Sequence, residues 1–303
     1  MSNSDGQGTG TFTDRKCFAR HSGLWLCEPR EAMTYYDAVV KNGWRSIKAE
    51  VQAEGPASDA GVNVTQGGTA IIPITGMMMK GTSKMFDGTS TLKTRRQISA
   101  AMADDSVSSI LMFIDSPGGH VDGTDELAAD IRAADLTKPV FSFIEDMGAS
   151  AALWVASQSS KVFTNRMAAV GSIGVFAVVT DASEAMEQAG IKVHVISTGD
   201  FKGGAFGAEV SEAQIGEVQK MVDAINVEFK GAVKKGRSMT AKAVDAIADG
   251  RMFTAPEAQA LGLTDGVSTI EKVLGAMDKE VRARGRARRA RATAAQLNID
   301  KRK

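Results

Sequence analysis

The chain has 303 residues, 43% of them hydrophobic and 24% charged, enough to bury one large domain or two smaller ones. Its 36 basic residues balance 36 acidic ones, so the overall charge points to neither a nucleic-acid nor a membrane partner. Two cysteines, Cys17 and Cys27, make neither a disulfide framework nor a zinc site and read as reduced thiols of a cytoplasmic protein. No apolar run reaches the roughly 20 residues of a membrane span, and the start lacks an apolar signal core, so no membrane anchor is expected.

Residues 1–16 are polar and rich in Gly, Ser and Thr, and read as disordered. Residues 17–50 hold Trp25, Tyr35, Tyr36 and Trp44 and read as a small ordered or helical arm, followed by a linker over 53–68. The main domain is expected from residue 69 to 277. "TAIIPIT" (69–75) reads as a strand whose proline suggests an edge or a bulge. A helix is expected over 90–103, opening at Ser90, and a buried strand over 108–115. A second helix over 123–134 places Leu127, Ile131 and Ala134 on one face. "PVFSFI" (139–144) reads as a strand and "SAALWVAS" (150–157) as a helix, with further strands at "KVF", "GVFAVV" and "KVHVIS". The patterns Ser211-x-x-Gln214 and Thr254-x-x-Glu257 are capping boxes that open a long and a short helix. Alternating strands and helices give an α/β domain. The last segment, 278–303, contains "RARGRARRAR" (282–291) and reads as a disordered basic tail, with contact to nucleic acid, acidic protein or anionic lipid left open.

The chemistry centres on Ser150, in "DMGASAAL" (146–153), where a strand hands over to a helix. Serine is a good N-cap; the sharper reading is a nucleophile with small neighbours. "IDSPGGH" (114–120) is a glycine turn after a strand, with N–H groups of Gly118 or Gly119 able to meet an oxyanion. One helix and one strand separate it from Ser150, so a parallel sheet brings the two strand ends side by side. A serine nucleophile needs a base. His21 lies in the arm, His120 borders the glycine turn, and His194 reads as a half-buried structural residue of "KVHVIS". The alternative base is Lys202, in a glycine-rich loop flanked by Phe201 and Phe206; taken alone it reads first as a surface loop lysine, and otherwise as an amine that these rings desolvate. Ser172, in "VGSIGV" (170–175), is either a turn residue or a hydroxyl that orients the lysine.

"DSPGG", "MGASAA", "VGSIGV" and "STGDFK", in this order, resemble the signal peptide peptidase A family of serine peptidases, as does "ADGRMFTAPEAQALGLTDG" (248–266). The resemblance spans residues 69–275. It implies a Clp/crotonase-like α/β fold, a Ser–Lys dyad and no cofactor. By position Ser150 matches the nucleophile, Lys202 the general base and Ser172 the serine that steadies the lysine. Gly119 and Ala151, with Gly118 beside them, match the oxyanion hole. The missing anchor, the single catalytic unit and the N-terminal arm look like the phage or prophage head-maturation branch, which cleaves capsid, portal or scaffold proteins in the host cytoplasm or prohead. Relatives form rings or tetramers, so a homo-oligomer is expected. The rival expectations are a soluble cytosolic peptide-degrading peptidase, a catalytically silent scaffold protein and a crotonase-type acyl-CoA enzyme.

Overall fold

A computed structural model describes residues 24–27, 61–81, 88–203 and 207–300. The first elements are β1 (Leu24–Cys27), β2 (Asn63–Val64), β3 (Thr69–Thr75), β4 (Met77–Met79), β5 (Gly88–Ser90), α1 (Thr91–Ala103), β6 (Ser109–Ser116) and β7 (Gly118–His120). Next come α2 (Thr124–Asp135), β8 (Val140–Ala149), α3 (Ala151–Ala156), β9 (Lys161–Thr164), β10 (Ala169–Gly171), β11 (Phe176–Ala177) and α4 (Ser183–Gln188). The chain continues through α5 (Glu212–Gly236), α6 (Ala241–Asp245), β12 (Met252–Thr254), α7 (Ala255–Ala260), β13 (Gly266–Val267) and α8 (Ile270–Asp300).

Hydrophobic alternation on β6 decides the layering. Successive side chains of a strand point to opposite faces. Ile110, Met112 and Ile114 therefore enter one core, and Leu111 enters another. A strand buried on both faces needs two covering layers. On one side Ile98 of α1, Leu127 and Ile131 of α2 and Leu153 of α3 join the first core. On the other, Val273 and Met277 of α8 meet Leu111, Phe141 and Phe143. The main sheet runs β12–β10–β8–β6–β3–β2, with β9 also on β8 and β13 on β9. β3, β6 and β8 are parallel neighbours. A second, smaller sheet runs β11–β1–β7–β4–β5.

The α/β class and most of the expected elements are present. Pro73 pairs with Phe113 of β6 but lies beyond β2, which reaches only Ala70 and Ile71, so the ring sits where the strand edge is open. The Ser90 side chain caps α1 by accepting from the Lys93 N–H, and both capping boxes form.

Three expectations change. "KVHVIS" is not a strand: Ile191, Val195 and Ile196 are exposed, and among the described residues no neighbouring strand accepts the segment. Alternation makes a strand only where a ladder can pair its backbone groups. His194 is accordingly exposed, not half-buried. The basic tail is helical rather than structureless, because α8 runs through Arg282–Arg291. Alanine and arginine are strong helix formers, and Arg284 ties the helix down by pairing with Asp135 at 3.2 Å, while Glu280, one turn earlier on the same helix, holds its guanidinium at 2.9 Å. Of the arm, only the strand Leu24–Cys27 is described; residues 1–16, Tyr35, Tyr36 and Trp44 lie outside the described residues.

The long α5 is tied to the sheet by a charge cluster. Asp265 accepts from the Val162 N–H at 2.8 Å, pairs with Arg237 at 2.8 Å and meets Lys161 at 3.0 Å. Burial alone would raise its pKa, but the Val162 bond and the two cations outweigh it and hold the carboxyl below its usual range. A carboxylate depressed in this way stabilises the fold above its unfolded value of about 4 and loses that contribution as pH falls through the lower folded value. Asp265→Ala is expected to cost about 2–3 kcal/mol at pH 7, since it strands Arg237 and the Val162 N–H. The deficit should shrink toward pH 3 in urea titrations of both proteins.

Candidate active site

The site begins with an irregularity in β8. Ile144 pairs with Ile114 and Gly148 pairs with Ser116, so β8 spends four steps where β6 spends two. This bulge is pinned by Asp115, whose Oδ1 accepts from the Met147 N–H at 3.2 Å. Bulges re-aim a strand and cluster beside functional sites. Here the first half of β8 pairs with β9, and the last three residues swing over to β10. Gly148 must be small: a Cβ there would lie 2.6 Å from Ile144 Cδ1.

β8 and β10 end level, with Ala149 opposite Gly171. Ser150 and Ser172 each follow one of these paired residues. The Ser150 N–H donates to Gly171 O at 2.9 Å, and the Ser172 N–H donates to Arg251 O at 2.8 Å. Both serines are held at φ 52°, a region that costs a non-glycine residue about 1–3 kcal/mol.

Ser150 occupies the N-cap position of α3, but its side chain accepts no helix N–H. The reading of Ser150 as a helix cap is therefore overturned. At φ 52° and ψ −117° the side chain is not in the extended conformation that capping uses. Its Oγ is fully buried and has no hydrogen-bond partner among the described residues. An unmade buried bond costs about 1–3 kcal/mol. One residue thus carries both backbone strain and an orphaned hydroxyl, as expected of a group kept ready for a ligand.

The glycine turn lies at the same corner. Ser116 faces Gly148 in register, and α3 packs against β7. Gly118 has φ 97°, and its N–H is already given to Ser116 Oγ at 3.2 Å. Gly119 faces Met78 of β4 so closely that a Cβ would stand 1.8 Å from the Met78 carbonyl oxygen. Ala151 opens α3, where an N–H has no acceptor within the helix. The structure therefore brings Ser150, Ala151, Ser172, Gly118 and Gly119 together.

Lys202 is not brought to them. Its side chain is exposed, and its backbone N–H donates to Gly199 O at 3.1 Å. Phe201 is 60% exposed and does not shield the amine, and Phe206 lies outside the described residues. His120, on β7, turns Nδ1 to Asp122, accepting its N–H at 3.3 Å. His21 lies outside the described residues. Two features escaped the sequence reading. Arg251 holds Ser172 through a backbone carbonyl, which no side-chain pattern signals. A pocket of about 430 Å³ between β11 and α5, lined by Phe176, Val179, Asp181, Ile215 and Val222, arises only from packing and includes none of the residues above.

Residues 132–284 match the model of the peptidase family S49. A Methanocaldococcus jannaschii protein that bears a protease name is 30% identical over 178 residues, 58% of this chain and 57% of that protein. Protease 4 of Salmonella typhi is 29% identical over 217 residues, 68% of this chain and 34% of that protein. The capsid assembly protease C of Escherichia phage lambda is 31% identical over 140 residues, 45% of this chain and 31% of that protein. The chain thus spans between about a third and just over half of these relatives' lengths.

Strain at Ser150 predicts a reversal of the usual effect of mutation. Glycine accepts positive φ without penalty and carries no hydroxyl to orphan. Ser150→Gly is expected to raise the unfolding temperature by a few degrees, equivalent to about 1 kcal/mol. Ser150→Ala, which keeps the strained backbone, should gain less. Calorimetry on the three proteins checks both.

Proposed function

The chain belongs to peptidase family S49, and on that premise we propose that it is a serine endopeptidase with a Clp/crotonase-like core, in which Ser150 is the nucleophile and Lys202 the general base. The observation that carries this reading is the buried, unpartnered Ser150 hydroxyl on the level ends of β8 and β10. Neutral Lys202 takes the Ser150 proton as Oγ attacks a peptide carbonyl, and the N–H groups of Gly119 and Ala151 receive the oxyanion. Each such preorganised donor is worth on the order of 3–4 kcal/mol. Lys202 then protonates the leaving amine, and water, activated by the same amine, releases the acyl group. Ser172, level with Ser150, orients the amine.

This chemistry requires Lys202 to leave solvent, because a general base must lie within hydrogen-bond reach of the proton it takes. The segment that carries it exposes Ile191, Val195, Ile196 and Phe201. Self-association that covers these side chains would seat and desolvate the lysine, and is our reading of why they are apolar. The substrate class we favour is phage head protein, in keeping with the resemblance to the head-maturation branch and with a relative that is named as a capsid assembly protease. The arginines of α8 other than Arg284 face solvent and would suit an acidic or nucleic-acid surface at such an assembly.

Wild type is expected to cleave casein, with Ser150→Ala and Lys202→Ala at least about a thousandfold slower and all three equally folded by circular dichroism. Intact mass of a capsid or portal protein incubated with each separates phage-head processing from general peptide degradation. Equal behaviour of all three would remove the dyad.

A further inference from the structure

The strand β1 lies where a peptide substrate belongs. It stands between β7 and β11, antiparallel to both. Cys27, Leu26 and Trp25 face Gly118, Gly119 and His120, while Trp25 and Leu24 face Phe176 and Ala177. β11 has no other partner strand among the described residues. Without β1, the free edges of β7 and β11 would face each other across two strand spacings, about 9–10 Å. An edge strand is a template for an extended peptide. A slot with an edge on each wall takes a single extended segment and pairs it on both sides. Both walls belong to the candidate site: β7 begins at the glycine turn, and β11 starts four residues after Ser172.

Polarity adds to this placement. β1 runs so that its last residue, Cys27, meets Gly118, the first residue of β7. Gly118 follows Ser116, which is paired with Gly148 just before Ser150. A segment lying in this direction brings the carbonyl at its C-terminal end toward Ser150 and toward the N–H groups of Gly119 and Ala151. That is the direction required of the acyl side of a scissile bond. β1 therefore has the strand form, the two-sided pairing and the orientation of a bound substrate.

We propose that Leu24–Cys27 is an intramolecular occupant of the peptide groove, which an extended protein substrate must displace. The proposal rests on the peptidase reading for the meaning of the groove, but the occupancy is measurable without catalysis. The strand is covalently part of the chain that forms the groove, and a covalently linked segment competes at an effective concentration that reaches the order of millimolar. A peptide that competes for the groove should therefore bind about tenfold or more weakly to the intact chain than to one whose strand is disabled.

The test uses the full chain in the Ser150→Ala background, with and without Trp25→Pro and Leu26→Pro. Adjacent residues of a strand direct their N–H groups to opposite neighbours, so the two prolines remove a donor toward each wall. The probe is a fluorescent peptide with the sequence of residues 22–29, followed by anisotropy. Binding at least tenfold tighter to the proline variant supports the proposal, and equal binding overturns it. Hydrogen exchange on the chain without prolines guards against a variant that misfolds. Slow exchange of Phe176 and Ala177 in that chain supports occupancy, and free-chain rates at Trp25, Leu26 and both of these residues overturn it. Casein cleavage by the same strand variants with Ser150 restored keeps the two readings apart. If the binding contrast holds while neither form cleaves, the occupant stands and the peptidase assignment falls.

Discussion

The hydrogen bond from the Ser150 N–H to the Gly171 carbonyl, 2.9 Å long, ties together the level ends of two parallel strands. β8 cannot continue past this bond as a strand, because α3 begins at the next residue. Positive φ is the local solution, and it prevents the serine side chain from folding back to cap its own helix. The hydroxyl is buried and unpaired as a consequence of backbone geometry. Packing then fixes the neighbours. Ile144 leaves no room for a side chain at position 148, and the Met78 carbonyl leaves none at 119. Glycine at 119 is thus set by the Met78 backbone, and glycine at 148 by the Ile144 side chain, before any substrate is considered.

Strain at two serines persists only if the surroundings over-determine it. They do so here from behind. Every residue of α3 is buried, and Trp154 stacks on Phe229 of α5 with ring centroids 5.0 Å apart. Full burial of a large apolar side chain contributes about 1.5–3 kcal/mol. Leu153, Trp154 and Val155 together therefore outweigh one strained residue and one orphaned hydroxyl. The Asp265 cluster locks the far end of α5 to β9 and closes this support. Rigidity at Ser150 comes from helix packing, while the segment 191–203 leaves Ile191, Val195, Ile196 and Phe201 exposed.

Features with a repeating pattern were legible in the sequence. β3, β6, α1, α2 and α5 follow from runs of apolar residues and from caps at Ser90 and Ser211. The order of the glycine and serine segments also carried the side-by-side ends of β6 and β8, since one helix and one strand lie between the glycine turn and Ser150. What failed to show depends on non-local pairing. "KVHVIS" has a strand's alternation but no ladder to join. "RARGRARRAR" looks like a solvated tail, yet its alanine-arginine content is good helix sequence once Arg284 finds Asp135 and Glu280. The β8 bulge has no signature, because it is defined by the partner strand's register. The cap at Ser150 was inferred from residue type and position, and the sign of φ, which sequence does not display, decided against it. The strand at Leu24–Cys27 was hidden for the same reason as the bulge: its partners are some 90 and 150 residues away in the chain.

Two conditions, on the proposed reading, stand between this chain and turnover. The groove that meets the substrate backbone is filled by β1, and the amine that must take the proton is in water. The first condition is relieved by mass action from an extended substrate, the second by burial of the apolar side chains around Lys202. In a dilute chain each condition is met only part of the time, which slows turnover without abolishing it. Crowding of substrate and enzyme in one assembly meets both, because it raises the concentration of competing strands and of surfaces able to cover Ile196 and Phe201. A protease built this way needs no separate inhibitor: dilution returns β1 to the groove and Lys202 to solvent, and the nucleophile is left buried without a partner.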